Sequence, residues 1–441
     1  MSKRRSPAPA LVVEASLAMA YETWIGPTYL ATWAGTLGLS RDQLPWLTSL
    51  PALGSLGQCV GVLLLMRIAR TLPLKRICLA LTLFARSLWI LPLVASLSTS
   101  LSASEPGRWI GQVGLLAAVS SAVGLTSTSL WMAWMRELVP HEQEGRFWGA
   151  RSLWSTVGVV GAHLASMVWL GVNPGPSAFR ILLAMALLSA AGSVWMLSRI
   201  PATPRSRSQL PTGAAFRALL RPEFRELLVF GALLQGSMYL AGPYFPYYFT
   251  HEVGLSGSTV AFWCLMTQAG AWMSSSYWGR RMDQHHGVAF EIGGAKVSIA
   301  RLCTILMALS PLPYVISNAA ILRWIGPVEY FINGVAWAGY TISFNTVVFQ
   351  RTRSSAFMSM VLFSALTAGQ GILGAAASWM GSRIAGSSLQ GGFALLWAIA
   401  AAARLSAALL FLPRSMRGGA RTAHAFQPGP GLGADLPQEL H

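Results

Sequence analysis

Few residues in this sequence could do chemistry, and most of those are ionisable side chains set inside long apolar runs. Glu22 forms an i, i+4, i+7 stripe with Gly26 and Tyr29, and Gly26-Pro27 would loosen a helix at that point. A carboxyl group there can exchange a proton or hold a cationic group; as a structural group it would instead be paired. Glu329, Asn333, Trp337, Tyr340 and Phe344 follow spacings of four, four, three and four, which puts them on one helical face. An acid, an amide and three aromatics suit a pocket that holds an organic solute by a few placed polar groups. The same face would also serve as a seam between helices. Arg86 and Arg301 each fall in the middle of an apolar run, where a charge costs at least roughly 2.5–3.5 kcal/mol and needs a partner or a role. Recognition of an anionic solute is one role. Their occurrence in both halves of the chain favours a structural one, such as bonding the carbonyls of broken neighbouring helices. Arg404 and His163 are solitary and read as packing or snorkelling groups. Ser120, Ser121, Gly124, Ser127, Thr128 and Trp131 share one side of a further run, as close helix packing requires.

Enzymatic chemistry lacks its usual parts. The sequence contains no H-E-x-x-H, no Walker A loop and no G-x-S-x-G, and its polar intervals are short. Cys59, Cys78, Cys264 and Cys303 lie in apolar runs, without C-x-x-C spacing or a histidine at metal-ligand distance. They read as small hydrophobes. No catalytic residue, metal or cofactor is therefore expected.

The elements that carry these residues must be membrane spans. Apolar residues make up 54% of the 441 and charged residues 11%, where soluble domains carry roughly 25%. A bilayer solvates that much apolar surface and a soluble core does not. The net charge of +17 does not point to nucleic acid, because the basic residues sit in short loops rather than among aromatics on a polar background. Runs long enough to cross fall near 11–37, 43–66, 77–99, 109–135, 147–171 and 179–199, then 225–250, 257–278, 289–313, 322–349, 355–380 and 389–412. Each must be helical, since a lone strand in lipid leaves its backbone unpaired. Lys3, Arg4 and Arg5 ahead of the first run resemble a signal peptide, but Glu14 interrupts it and apolar character continues to Leu37, so a retained span is expected.

Basic residues set the orientation. With a cytoplasmic N-terminus, 22 of the 32 Lys and Arg fall in inside segments and five in outside loops, which predicts that both termini are cytoplasmic. The division is a cytoplasmic N-terminus (1–10), a first six-helix bundle (11–199), a linker (200–224), a second bundle (225–412) and a tail (413–441). The linker carries four prolines and four arginines, with Phe216, Leu219, Leu220 and Phe224 placed to rest on the membrane surface. The Gly- and Pro-rich tail is expected to be disordered.

The halves repeat. Gly26-Pro27 recurs as Gly242-Pro243, Gly38-Leu39-Ser40 as Gly254-Leu255-Ser256 and Gly54 as Gly270, all 216 residues apart. Arg86 has a counterpart at Arg301, and Gly158, Gly161 and Ala162 match Gly371, Gly374 and Ala375. A nearly constant offset across five spans implies two bundles related by an axis along the membrane normal. With Gly279-Arg280-Arg281-Met282-Asp283 after the eighth span and Gly145-Arg146 after the fourth, the chain resembles the major facilitator superfamily over about residues 11–413. It departs from the pattern at Gln284, at Arg67 and at Glu144, where a basic residue, Asp and Arg are usual. The resemblance implies an all-α fold of twelve transmembrane helices in two pseudo-symmetric six-helix bundles. It also implies alternating access around a site lined by the first, fourth, seventh and tenth spans, which adds Tyr239 to Glu22, Tyr29, Glu329, Asn333, Trp337 and Tyr340 as candidates. Gly279, Asp283 and Arg146 become gating candidates.

The expected function is secondary transport of a small solute, proton-coupled or facilitated, in a cell membrane, with a bacterial inner membrane the expected one. The alternatives are a membrane enzyme acting on lipid, which would need a reactive cluster at the headgroup plane, and a transporter-fold sensor, which would usually add a soluble domain.

Overall fold

The computed structural model describes residues 8–36, 54–58, 60–61, 72–97, 106–138, 144–173, 175, 177–202, 217, 219–284, 288–292, 295–316, 319–351, 356–385, 392–413 and 416. The expectations for residues 1–7, most of the second span, the loop 139–143, most of the linker and the tail lie outside these. The remaining spans are helical. The first is Ala8–Trp24 and Pro27–Thr36, the third Leu74–Ser87 and Ile90–Leu97, and the fourth to sixth Pro106–Leu138, Glu144–Val172 and Ser177–Arg199. The seventh runs from Pro222–Ala241 through Tyr244–Tyr247 into a π-helical turn, Tyr248–Glu252. The eighth is Gly257–Gln284, the ninth Ile299–Leu309 with Pro313–Ile316, and the tenth to twelfth Ala319–Arg351, Ala356–Ala385 and Gly392–Leu410. Short helical stretches at 54–58 and 60–61 mark the second.

Among the described residues, seven helices are long and apolar enough to cross a bilayer by length and composition. The others depart for local reasons. Gly26-Pro27 divides the first span, polar residues from Thr267 to Asp283 lower the hydropathy of the eighth, and Arg323, Glu329 and Asn333 interrupt the tenth.

The ninth span requires a correction. Helix was expected from residue 289, but Val288–Ile292 and Ala295–Ser298 form an antiparallel hairpin and the helix starts at Ile299. The Ser298 side chain caps it by accepting from the Arg301 amide at 3.2 Å. Period-two alternation with Glu291 opposite Lys296, and two glycines between the strands in sequence, favour a hairpin over an apolar helix. Arg301 consequently lies in the first turn with its side chain exposed, not in mid-span.

The two halves pack alike. The first span lies against the fifth and sixth, and the seventh against the eleventh and twelfth; the third packs on the fourth as the ninth packs on the tenth. Gly54 and Gly270 show the repeat in atomic terms. A Cβ at Gly54 would strike the Ala118 carbonyl of the fourth span, and one at Gly270 the Phe331 carbonyl of the tenth. Only glycine permits those backbones to approach so closely. Gly26-Pro27 and Gly242-Pro243 interrupt their helices at corresponding places. Between the halves, the fifth span packs on the eighth and the fourth on the eleventh.

Candidate functional site

A cavity of about 650 Å³ lies where the halves face each other. The first bundle contributes Glu14, Tyr21, Glu22 and Gly26 from the first span and Thr82, Arg86 and Trp89 from the third. The fourth span adds Ser120, Ser121, Gly124, Ser127, Thr128 and Trp131, and the fifth Arg151. The second bundle closes the cavity with Gln235 and Tyr239 of the seventh span and Thr367, Gln370 and Gly371 of the eleventh. Among the described residues, all four charged groups therefore come from one half, and the other half supplies amides and hydroxyls.

The four charges are not equivalent. Arg151 donates to Glu14 at 2.7 Å, its guanidinium lies 4.1 Å from the centre of the Trp131 ring, and Ser193 donates to the other Glu14 oxygen at 3.2 Å. That pair is satisfied internally. Arg86 rests 5.1 Å from the centre of the Tyr21 ring and donates to the Ala190 carbonyl of the sixth span at 3.3 Å. Glu22 is open to the cavity, which Arg86 also lines. No hydrogen bond or ion pair engages its carboxylate among the described residues.

The fourth-span polar face is held rigidly. Ser120 accepts from the Trp89 indole at 3.0 Å and donates to the Ala85 carbonyl at 2.9 Å. Ser127 donates to the Cys78 carbonyl at 3.0 Å and bonds Thr82 at 2.7 Å. The residues read as packing groups thus also border the cavity. Toward the Trp131 end of the fourth span, Gln58 donates to Ser129, whose hydroxyl meets that of Ser364 in the eleventh span at 3.3 Å.

Of the candidates read from the sequence, Glu22 and Tyr239 line the cavity. Tyr29 does not; its hydroxyl bonds His163 Nδ1 at 2.8 Å inside the first bundle, giving that histidine a partner too. The tenth-span stripe is also placed elsewhere. Glu329 accepts from Ser310 and, at 2.6 Å, from Tyr314, both in the ninth span. Tyr340 and Phe344 are buried, their ring centres 5.5 Å apart, and Tyr340 meets Phe230 of the seventh span edge-on. Asn333 is partly buried, and Trp337 is 40% exposed with its ring 5.7 Å from Tyr340. The stripe forms a helix seam, because the tenth span faces the eighth and ninth. Gly242-Pro243 likewise stays outside the cavity lining that includes Gly26. Gly279 lies within the eighth helix; the side chains of Asp283 and Arg146 are outside the described residues.

Sequence reasoning passed over Glu14, Arg151, Gln235, Thr367 and Gln370. Glu14 and Arg151 carried a signal, since they are intramembrane charges of opposite sign. The eleventh-span residues carried none, being ordinary polar side chains on a Gly- and Ala-rich helix.

Two six-helix halves that pack alike and enclose a polar cavity within a bilayer define a secondary transporter. The chain belongs to the Major Facilitator Superfamily, whose sequence profile matches residues 13–374. Among solved structures it is similar to a D-xylose–proton symporter, with TM-score 0.67 and 12% identity over 92% of this chain and 98% of that one. A nucleoside transporter, NupG, in mutant form gives 0.66 and 12% over 92% and 99%. A bacterial homologue of the iron transporter ferroportin, in its outward-facing state, gives 0.60 and 14% over 92% and 98%. These likenesses are of fold. No curated protein matches the chain by sequence.

Proposed function

We propose that this protein is a proton-coupled secondary transporter of a small organic solute, with the central cavity as its alternating-access site and Glu22 as its coupling group. The observation that carries this reading is Glu22 itself, a carboxylate open to the cavity and without a hydrogen-bonding partner among the described residues. An intramembrane acid is costly, and one left unpaired at a solute path has protonation as its natural means of neutralisation. A proton symporter among the structural relatives supports coupling as a use of this fold. The bundles are 11–199 and 225–412, joined by 200–224. Asp283, with Gly279 and Arg146, serves the cytoplasmic gate. Both termini face the cytoplasm of a cell membrane, on the distribution of basic residues. We read no enzymatic activity, cofactor or nucleic-acid partner, on the sequence grounds above.

The test begins with a ligand-induced thermal-shift screen on purified protein, since a solute that binds only the folded state raises apparent stability. Hits are then followed in proteoliposomes. Glu22→Gln is expected to keep solute exchange and lose accumulation driven by a pH gradient. Full pH-driven accumulation by that variant would refute the coupling role.

A further inference from the structure

The charges facing the cavity say more about the solute than its volume does. Glu14 and Arg151 are spent on each other, on Ser193 and on Trp131. Arg86 uses one donor on the Ala190 carbonyl, which leaves the rest of a five-donor fork. Glu22 uses neither oxygen among the described residues. The wall facing them, Gln235, Tyr239, Thr367 and Gln370, carries no charge. Among the described residues, one negative and one positive group are therefore left to the solute, both on the first bundle.

Resting on the reading of this cavity as the transport site, we propose that its solute is dipolar. Such a solute carries a cationic group, set against Glu22, and a separate anionic group, set against Arg86. The reason is net charge. With Glu22 ionised, as it is when solute and proton occupy the site in alternation, the two unspent groups sum to zero. A purely cationic solute would neutralise Glu22 and leave Arg86 with an uncompensated charge; a purely anionic one would do the reverse. Uncompensated charge is penalised in a closed, low-dielectric site. A dipolar solute satisfies both groups and keeps the loaded cavity neutral as it is carried across. The amides and hydroxyls of the second bundle can then close on its uncharged middle without repelling either end. Tyr21, Trp89 and Trp131 border the same space.

A size-matched series built on one skeleton tests this: the dipeptide Ala-Phe, its N-acetyl form, its amide, and the form blocked at both ends. Binding of each to the purified full chain is measured by thermal shift at millimolar concentration. The free dipeptide is expected to bind at least tenfold more tightly than either singly blocked form. Glu22→Gln should erase the preference over the N-acetyl form, and Arg86→Gln the preference over the amide. Equal or tighter binding of a blocked form, or no shift with the free dipeptide, overturns the proposal. Gly124→Trp separates this outcome from failure of the cavity reading, since Gly124 lines the cavity and a Cβ there meets, among the described residues, Ala85 alone, at an ordinary contact distance of 3.9 Å. If a singly charged form binds and Gly124→Trp abolishes it, the dipolar proposal fails and the cavity stands. If binding survives Gly124→Trp, the cavity reading fails as well.

Discussion

Glu14 and Arg151 set the terms on which the first bundle carries charge. The pair is joined at 2.7 Å, with the glutamate side chain 6% exposed. Removing one member of such a pair leaves an uncompensated charge, whereas replacing both by apolar groups is often close to neutral. Arg151→Met alone should therefore cost about 3 kcal/mol, read as a fall in apparent melting temperature, and Glu14→Leu in the same chain should recover most of it. A single variant as stable as wild type would show that the pair contributes nothing. Glu22 was legible from the sequence because a lone acid in an apolar run has few uses. The Glu14–Arg151 contact was not, because its members lie 137 residues apart and only the packing of the first span on the fifth brings them together. Tyr29 does not join Glu22 at the cavity, because the Gly26-Pro27 break separates the helices that carry them.

The ninth span shows how a broken helix is held. Pro311 has no amide to donate to the carbonyl four residues earlier, that of Met307. Arg404 of the twelfth span donates to that carbonyl at 3.1 Å. Just beyond, Glu329 of the tenth span receives Ser310 and Tyr314 from the two sides of the break. Three helices are thus fastened at one interruption. Arg404→Met removes the donor to the Met307 carbonyl and should lower stability by about 1–3 kcal/mol. Tyr314→Phe, which deletes one hydrogen bond to Glu329, should cost about 1 kcal/mol. Unchanged melting in both variants would contradict the account. Periodicity and length gave away most helices, but the 288–298 hairpin was hidden because its alternating residues merge into the apolar run that follows. Glu329 stood out in the sequence as an acid within an apolar run, but its meeting with Ser310 and Tyr314 did not, because a spacing argument fixes a helical face without saying which neighbour it meets.

On the scale of the molecule, the halves repeat in packing and differ in content. Gly54 and Gly270 make equivalent backbone contacts, yet among the described residues all the charges lining the cavity belong to the first half. The repeat in sequence predicted the shared frame because close helix contacts constrain small residues. It could not predict the division of labour, since polar residues on the cavity wall are free to diverge once the frame is set. Hence the tenth span, matched to the fourth by symmetry, forms a seam while the eleventh reaches the cavity. The central claim is that this cavity opens to each side of the membrane in turn. The most direct test is Gln370→Cys in a chain lacking the four native cysteines, one of which, Cys78, itself lines the cavity. The probe is a membrane-impermeant thiol reagent, applied to right-side-out and to inside-out vesicles. Alternating access predicts labelling from both sides, each slowed by locking the protein open to the other. Labelling from one side alone under every condition, or protection from both, would contradict it.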